Sequence, residues 1–474
     1  MPDTLQIRNP RTGETDYEIT VTTGDEIAAL ANDMRAAQLE WLSLGVNGRI
    51  DILQRWKQAV MDASDEILAA LSTDTGRRTL ARGEILGVCG MIDNWSALGP
   101  GLTQTDERPS QNLPDVALRR QLDPYPLLGV ISPWNFPLLL SFIDAVPALV
   151  AGCAAIIKPS EVTPRFARAV AGTIEQVPEL RGVLRFVSGD GRSGAALIEH
   201  VDIVAFTGSV ATGRKVAAAA AAAFIPAFLE LGGKDPAVIL PGADLDRAST
   251  SILRASIAAT GQACQSLERI YVHEDQHDEF VRLLTEKAQA AKLSFPDPDS
   301  GIVGPLIFAR QAEIIEAHIR DAVAKGARVE TGGEILDHGG GCWVEPTVLT
   351  NVDHTMKVMT EETFGPLMPI MAYDSVDEAV TLANDTIYGL SGAVFGATEA
   401  AAIAFAENLD AGGISINDAG MTTMTFEACK QAFKLSGMGP SRMGPTGLTR
   451  FFREKALYLN RGAVTPIENQ AEGG

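Results

Sequence analysis

The sequence is poor in basic residues, and this deficit excludes whole classes of partner. Its 474 residues include 39 lysines and arginines against 60 aspartates and glutamates, a formal net charge of −21. Proteins that bind nucleic acid or anionic membrane surfaces without sequence recognition need clustered positive charge. We therefore expect no nucleic-acid partner and no membrane partner, and the composition leaves small-molecule chemistry open.

Cysteine and histidine are also scarce. The chain has 5 cysteines, an odd number without CxxC spacing, and 6 scattered histidines without the spacing of metal ligands. A disulfide framework or a zinc site needs paired or closely spaced ligands. The sequence therefore predicts no metal site and no disulfide, and reduced thiols of this kind fit a cytoplasmic protein.

The sequence predicts neither a targeting segment nor a membrane span. The first residues, MPDTLQIR, have no basic region followed by an apolar run, so no secretory signal is predicted there. The most apolar stretch, 127–157, contains Asn135, Asp144 and several prolines. A lipid-exposed helix tolerates such residues badly, so we interpret this stretch as buried elements of a globular core.

Two series of alternating strands and helices are present. Before them, long amphipathic helices are predicted at 24–44 and 47–71. In the first series, strands are predicted at 127–132, 154–158, 184–187 and 202–206, and helices at 138–151, 163–176, 194–200 and 212–223. The second series has strands at 236–240, 269–272 and 412–416 and helices at 248–259 and 276–292. Such alternation is typical of βαβ units and a mostly parallel sheet, and two series indicate two α/β domains that meet near residue 235.

A glycine-containing turn follows the predicted strand that ends at Phe206. The segment TGSVATGRK, residues 207–215, leads into a helix, and the amides of a helix N-terminus favour an anion such as phosphate. Two known patterns nearly match and fail: GxGxxG needs glycine where Val210 stands, and GxxxxGK[ST] needs lysine where Arg214 stands. On local grounds an ordinary strand–turn–helix explains the segment equally well.

Seven segments in a fixed order carry a much stronger signal. They are SPWNFP at 132–137, KPSE at 158–161, FTGS at 206–209, LELGGK at 229–234, GQAC at 261–264, EETFGP at 361–366, and ND through YGL at 384–390. With these motifs, spread over nearly the whole chain, the sequence resembles the NAD(P)-dependent aldehyde dehydrogenase superfamily.

The resemblance implies an α/β fold in three parts. These are a Rossmann-like, parallel-sheet, NAD-binding domain formed by residues 1–105 and 127–235, an α/β catalytic domain formed by residues 236–437, and a small β oligomerisation arm formed by residues 106–126 and 448–474. Relatives exchange this arm between subunits, so the resemblance implies a homodimer or a homotetramer.

The resemblance also assigns three catalytic residues. Cys264 is the nucleophile that forms a thiohemiacetal and then a thioester, and the side chain of Asn135 stabilises the oxyanion together with the Cys264 N–H. Glu230 activates the water that hydrolyses the thioester. Relatives that pass the acyl group to coenzyme A or phosphate typically lack this glutamate, so a free carboxylic acid is the implied product. By itself, an arbitrary cysteine is more often a buried apolar residue, and a lone glutamate more often a solvated one.

NAD is the implied cofactor, with NADP also possible. The residues that match the cofactor-binding positions of the family are Ser132, Trp134, Lys158, Ser160, Glu161, Gly191, Phe206, Gly208, Ser209, Leu231, Gly232, Glu362 and Phe364. Lys158 and Glu161 match the partners of the adenosine ribose hydroxyls. The carboxylate of Glu161 would repel a 2′-phosphate, and this favours NAD over NADP.

The sequence departs from the family at one charged pair. Asp144 stands where many relatives have lysine, and Arg442 stands near the position of a glutamate in relatives. We therefore predict that Asp144 and Arg442 form a salt bridge with exchanged signs close to the active site. Reversing both charges should then restore the activity lost by reversing one. Two unrelated surface charges are the alternative.

The substrate is the least defined feature. The Pro-Phe-Gly-Gly passage that shapes the substrate funnel in relatives is absent, since residues 426–437 read FEACKQAFKLSG. The side chains that favour an aromatic or medium-chain apolar aldehyde are Phe136, Leu140, Ile143, Met421 and Met424. Lys430 favours the alternative, a semialdehyde dehydrogenase with an acidic substrate.

Three other classes of protein stay open at this point. A phosphohydrolase would use residues 208–215, but it leaves Glu230 and Cys264 unexplained. A thiol esterase would use Cys264 and Glu230 without a cofactor, and would not bind NAD. A non-catalytic descendant would be expected to have lost the nucleophile, which is present.

Overall fold

The computed structural model describes residues 3–470 and residue 472. Its strands are β1 Thr4–Arg8, β2 Thr15–Thr20, β3 Glu107–Pro109, β4 Val116–Pro124, β5 Leu127–Ile131, β6 Ala154–Lys158, β7 Leu184–Phe186, β8 Ile203–Thr207, β9 Ala227–Glu230, β10 Asp235–Ile239, β11 Leu267–His273, β12 Arg328–Thr331, β13 Ile335–His338, β14 Gly341–Val344, β15 Thr347–Thr350, β16 Leu367–Tyr373, β17 Ser391–Phe395, β18 Gly413–Ile416, β19 Gly437–Met438 and β20 Phe452–Asn460. Its α-helices are α1 Gly24–Ser43, α2 Gly45–Asp62, α3 Ser64–Thr75, α4 Thr79–Leu102, α5 Pro137–Ala151, α6 Phe166–Glu175, α7 Gly191–Glu199, α8 Val210–Ala222, α9 Leu245–Ile257, α10 Glu274–Ala290, α11 Arg310–Ala324, α12 Lys357–Thr360, α13 Val376–Asn384, α14 Glu399–Ala406 and α15 Thr446–Thr449. Short 3-10 turns lie at Pro178–Leu180, Ala258–Gly261, Met421–Thr423, Lys434–Ser436 and Ile467–Gln470.

The first sheet has the order β19-β9-β8-β5-β6-β7. Strands β5 to β9 pair in parallel, and β19 adds an antiparallel edge. The central strands β5, β6 and β8 are buried along almost their whole length, because helices cover both faces, and this explains their continuous apolar runs. The strand order reverses between β5 and β8, which places a crevice at their carboxyl ends.

The second sheet has the order β12-β15-β16-β11-β10-β17-β18. All its neighbours pair in parallel except β12 and β15. Residues 231–234 lead directly from β9 of the first sheet to β10 of the second. The predicted α/β fold class is confirmed. The domain boundaries given above stay predictions.

A third, antiparallel sheet has the order β20-β4-β3. Strand β20 pairs with β4 along its whole length, from Phe452 opposite Pro124 to Asn460 opposite Val116. Most residues of β20 are exposed, so this sheet does not belong to either of the larger cores.

Several elements differ from the predicted ones. The amphipathic helix predicted at 47–71 is two helices, α2 and α3, which break at Ala63 because its backbone leaves helical geometry (φ −92°, ψ 10°). The hairpins β1–β2 and β13–β14 had no counterpart among the predicted elements.

The apolar stretch 127–157 forms β5, α5 and β6 inside the first core, as interpreted from its polar residues. Among the described residues, no helix has both the length and the apolar character that crossing a membrane requires.

Candidate active site

The crevice between β5 and β8 collects several predicted cofactor residues. Ser209 caps α8, since its hydroxyl accepts a hydrogen bond from the N–H of Thr212 at 3.3 Å. The first N–H groups of a helix have no acceptor inside the helix, so they are able to bind a ligand at its N-terminus. Glycine suits position 208, because a Cβ there would lie 2.5 Å from the ring of Phe206 and would force the ring to move. Groups of this kind fit the diphosphate of a dinucleotide.

A lysine–glutamate pair lies at the carboxyl end of β6. The Nζ of Lys158 is 3.3 Å from the Oε2 of Glu161, and the lysine is buried while the glutamate side chain is 42% exposed. The backbone N–H of Ser132 donates to the carbonyl of Lys158 at 3.1 Å, which links the ends of β5 and β6. The carboxylate of Glu161 is therefore held at the carboxyl end of β6 and stays accessible, and its role toward the ribose stays a prediction.

Three further predicted cofactor residues lie around the same end of the sheet. Ser160 accepts a hydrogen bond from the N–H of Val162 at 3.2 Å, and Gly191 is the first residue of α7. Leu231 is buried directly after β9. None of these contacts is by itself a cofactor contact, so their roles stay predictions.

The connection between the two sheets brings three motifs together. A Cβ on Gly232 would lie 2.4 Å from the carboxylate of Glu362, and one on Gly233 would lie 2.6 Å from the backbone oxygen of Cys264. The N–H of Gly233 donates to the Glu362 Oε1 at 3.0 Å. Burial raises the pKa of Glu362 to about 8, and the nearby charge of Glu268 adds to this effect. Only glycines permit this approach, which explains the LELGGK motif.

A buried ion pair, missed by the sequence analysis, fixes this junction. The Nζ of Lys234 lies 2.6 Å from the Oε2 of Glu268 and 3.0 Å from the hydroxyl of Thr363. The carboxylate of Glu268 also accepts the N–H groups of Thr363 and Phe364, each at 2.7 Å. Glu268 lies on β11 outside every motif quoted above, so only the fold reveals its role.

The aromatic residues at the junction also meet. The ring of Trp134 packs edge-on against Phe364, with 5.3 Å between the ring centroids. The two motifs, which lie almost half the chain apart in the sequence, thus contact each other at the crevice.

The turn before Cys264 has an unusual backbone. Ala259, Thr260 and Gly261 have φ angles of 53°, 62° and 68°. Such values are strained for a β-branched residue such as Thr260, and this strain is typical of functional sites. A Cβ on Gly261 would lie 2.3 Å from the carbonyl oxygen of Gly365, so the turn is pressed against the EETFGP segment.

The thiol of Cys264 lies in a desolvated environment. The residue is partly exposed, and its thiol is free, with no disulfide partner. Desolvation raises its pKa to about 11, while the positive charge of Lys430, the strongest charge effect on the thiol, opposes this rise. The thiol of the free protein is therefore protonated at neutral pH.

The amide of Asn135 is fixed in the same region. Its Nδ2 donates to the backbone oxygen of Gln262 at 2.9 Å, and its backbone oxygen accepts a hydrogen bond from Arg77. The guanidinium of Arg77 also lies 5.1 Å from the ring centroid of Phe136. Asn135 is thus tied to the turn that carries Cys264. The sequence analysis missed Arg77, because nothing in its local pattern distinguishes it from a surface arginine.

The predicted pair of Asp144 and Arg442 is confirmed, with 3.1 Å between Asp144 Oδ2 and Arg442 Nη2. Both side chains are buried, and Arg442 Nε lies 3.7 Å from the Oε1 of Glu230. Burial lowers the pKa of Arg442, but the charges of Asp144 and Glu230 raise it more. The sequence analysis missed Arg450, whose Nη2 also donates to Asp144. A network of two carboxylates and two guanidiniums therefore joins α5, β9 and the segment before β20.

We expect Asp144→Asn to destabilise the protein by about 3–5 kcal/mol, because it leaves two buried guanidiniums without their carboxylate. Urea unfolding measures this loss. The matched control is Asp123→Asn on the exposed arm, where Asp123 lies 2.9 Å from Lys455, and a loss of at most about 1 kcal/mol is expected. Equal losses in the two variants would show that the buried network does not stabilise the fold.

The network also changes the expected result of reversing both charges. A simple pair would be restored by exchanging Asp144 and Arg442. Since Arg450 shares the carboxylate, the exchange would place an arginine at position 144 against the buried Arg450, 1% exposed. The double reversal stays a prediction, and with Arg450 at the same carboxylate we expect it to restore less than the full activity.

The apolar residues considered for substrate binding do not form one surface. Ile143 is buried in α5, and the ring of Phe136 lies under Arg77. Met421 and Met424 are exposed, at 38% and 59%. The set is thus divided between the core and the surface, which weakens the argument for an apolar substrate.

Comparison with known proteins identifies the class. The family model described as "Aldehyde dehydrogenase family" matches residues 1–457, so the chain belongs to the aldehyde dehydrogenase family. It is therefore an NAD(P)-dependent oxidoreductase, and the resemblance inferred from the motifs is confirmed.

Individual relatives cover nearly the whole chain. The 3,6-anhydro-alpha-L-galactose dehydrogenase of Streptomyces coelicolor is 34% identical over 468 residues, 96% of this chain and 93% of that protein. The solved structure of PutA from Anabaena variabilis is 51% identical with a TM-score of 0.97, and covers 98% of this chain and 99% of that one. The betaine aldehyde dehydrogenase of Staphylococcus aureus, solved in complex with NAD+ as a point mutant, is 28% identical with a TM-score of 0.91, and covers 98% and 95%.

Proposed function

We propose that this enzyme oxidises an aldehyde to the free carboxylic acid, with Cys264, Glu230 and Asn135 as its catalytic residues. The observation that carries the proposal is the junction between the sheets. There the glycines after Glu230 contact both Cys264 and Glu362, and Asn135 is bonded to the turn before Cys264. A nucleophile, a base and an amide donor are thus assembled beside a dinucleotide crevice.

In the proposed reaction the thiol of Cys264 gives up its proton to solvent and its sulfur bonds to the aldehyde carbon. The carbonyl oxygen becomes an oxyanion, which accepts hydrogen bonds from the Asn135 amide and the Cys264 N–H. A bound nicotinamide supplies the hydride acceptor. When the hydride has left, the carbon is a thioester on Cys264. Glu230 then takes a proton from water, whose oxygen attacks the thioester carbon and releases the acid and the thiol.

The position of Glu230 supports its role as the base. It ends β9, and its side chain is 16% exposed, which leaves room for water. The Nε of Arg442 donates no hydrogen bond within the described part of the chain, and it faces the Glu230 carboxylate at 3.7 Å. A cation fixed by Asp144 therefore holds the base in place.

The cofactor proposed for this chain is NAD, with NADP as a weaker alternative. The residues that would hold the adenosine ribose are Lys158 and Glu161, and those that would hold the diphosphate are Gly208 and Ser209. The exposed carboxylate of Glu161 would repel the 2′-phosphate that NADP carries on the adenosine ribose. Glu362, partly buried beside Gly232, would accept hydrogen bonds from the nicotinamide ribose.

The direct test is NADH formation, followed by absorbance, across a panel of aldehydes, with the product identified as the free acid. A wild-type enzyme that reduces neither NAD nor NADP with any aldehyde would contradict the proposal. An acyl-coenzyme A product formed only in the presence of coenzyme A would show that Glu230 does not determine hydrolysis.

We expect Asn135→Ala to lower kcat by about 10²–10³-fold, because the oxyanion loses one donor. Steady-state kinetics measure this loss, and thermal unfolding shows whether the turn bonded to Asn135 stays folded. A rise in KM alone, with kcat unchanged, would assign Asn135 to substrate binding instead.

We also propose that the chain forms a homodimer or homotetramer through the β20-β4-β3 sheet. Strand β20 is exposed over most of its length, and it carries Tyr458 with 75% of its surface accessible. A second copy of the chain would cover this face. Light scattering on the purified protein measures the assembly, and a monomer at all concentrations would contradict it.

A further inference from the structure

Lys430 differs from the other buried lysines of the described residues in the surroundings of its ammonium. Three lysines are buried in the structure: Lys158, Lys234 and Lys430, the last only 6% exposed. Lys158 pairs with Glu161 and Lys234 with Glu268. Within residues 3–470, the Lys430 ammonium has no carboxylate in ion-pairing range and no hydrogen-bond acceptor. Although the residue as a whole is buried, its Nζ is not fully enclosed, so the ammonium borders space that an anionic ligand can enter.

Lys430 is fixed on the side of the site that carries Cys264. Its N–H donates to the hydroxyl of Ser441 at 3.0 Å. A Cβ on Gly413 would lie 2.6 Å from the Cδ of Lys430 and 2.7 Å from the Cγ2 of Thr422, so the lysine stem packs beside this threonine. The Thr422 hydroxyl bonds to the side chain of Gln265, the residue after Cys264.

The other charged groups near the thiol are already engaged. Asp235 accepts from the N–H and hydroxyl of Ser391, and Glu362 accepts from the N–H of Gly233. Arg442 is bonded to Asp144 through Nη2, and its Nε faces the Glu230 carboxylate at 3.7 Å. Lys430 is therefore the cation at the thiol that is available to a ligand.

We propose that Lys430 binds an anionic group of the substrate, so that the enzyme prefers aldehydes with a carboxylate a short chain away from the carbonyl carbon. This inference rests on the proposed function, since it places the aldehyde carbon at Cys264. A single ammonium fits one carboxylate oxygen, and Lys430 thus determines specificity between acidic and neutral aldehydes.

The test compares succinic semialdehyde with butanal, which have the same chain length and differ in the terminal carboxylate. We expect the wild type to have the larger kcat/KM for the semialdehyde, and Lys430→Met to lower the ratio of the two kcat/KM values by about 10–100-fold, as loss of a charged hydrogen bond does. Lys430→Arg should keep most of the ratio, because it keeps the charge.

The matched control is Lys434→Met in the same segment. The ammonium of Lys434 is already bound, 3.3 Å from Asp410 and 2.8 Å from the carbonyl of Asn384. The ratio in this variant should stay within about twofold of the wild type. An equal change in both lysine variants would assign the effect to the segment and overturn the proposal.

A second measurement does not depend on turnover. Succinate should slow the alkylation of Cys264 by iodoacetamide in the wild type and lose this effect in Lys430→Met, whereas butanamide should protect neither. Lys430→Met could lower kcat/KM equally for the two aldehydes, while succinate protects Cys264 in both the wild type and the variant. In that case Lys430 acts on the thiol alone, and the proposal fails. If the wild type oxidises neither aldehyde, nor any other, the proposed function fails, and protection by succinate still tests the anion site.

Discussion

Replacing Cys264 with alanine is expected to lower aldehyde-dependent NADH formation by about 10⁴-fold or more, because no thiohemiacetal can form without the sulfur. Stopped-flow and steady-state absorbance measure the loss with any aldehyde that the wild type oxidises. NAD binding, measured by calorimetry, should be kept, since the crevice between β5 and β8 is formed by other residues. A variant that binds NAD without turnover also argues against a cofactor-independent thiol esterase.

The matched control is Cys342→Ser on β14, whose cysteine is also free and partly exposed. It should keep the wild-type rate. Unchanged turnover in Cys264→Ala would move the nucleophile to another residue and contradict the proposed mechanism.

The pKa of Cys264 gives this experiment a second readout. Because desolvation raises the pKa to about 11, the reactive thiolate becomes more abundant as the pH rises toward that value. Alkylation of the free enzyme by iodoacetamide should therefore accelerate over the whole range from neutral to strongly alkaline pH. An alkylation rate that stops rising near neutral pH would show that the thiolate is already stabilised in the free enzyme.

Glu230→Gln is expected to slow steady-state turnover by about 10²–10⁴-fold, because glutamine keeps the shape of the side chain and cannot take a proton from water. The step affected is hydrolysis, so the thioester on Cys264 should accumulate. Rapid mixing should then show a burst of about one NADH per active site before the slow phase. Mass spectrometry of the quenched protein identifies the acyl group on Cys264.

Glu407→Gln is the control for this substitution, since Glu407 is an exposed residue after α14 and lies outside every motif quoted above. It should show wild-type turnover. Slow turnover without a burst in Glu230→Gln would show that Glu230 acts in a step before hydride transfer. Turnover at the wild-type rate would show that Glu230 has no role in the mechanism.

Much of the fold is readable from the sequence because its strands are buried on both faces. Continuous apolar runs such as 154–158 and 202–206 are distinctive, and β6 and β8 lie within a residue of these predictions. The break at Ala63 is not readable, because the apolar periodicity of α2 continues into α3. The hairpin β1–β2 consists of short, half-exposed strands whose pattern is weak.

The residues of the site also differ in how far the sequence predicts them. Cys264, Glu230 and Asn135 belong to motifs, and the sequence places them without the fold. Arg77, Glu268 and Arg450 act through contacts between segments that are distant in the chain, and a buried charged residue in isolation looks like a surface one. Asp144 is intermediate: its pairing with Arg442 was predicted, and its second partner was not.

The desolvation of the Cys264 thiol also has a consequence for the lifetime of the enzyme. Hydrogen peroxide attacks cysteine through the thiolate, so the rate of sulfenic acid formation follows thiolate content and exposure. A pKa of about 11 leaves about one thiolate in 10⁴ molecules at neutral pH. We therefore expect the same surroundings that keep the nucleophile protonated at rest to slow the oxidative inactivation of the free enzyme.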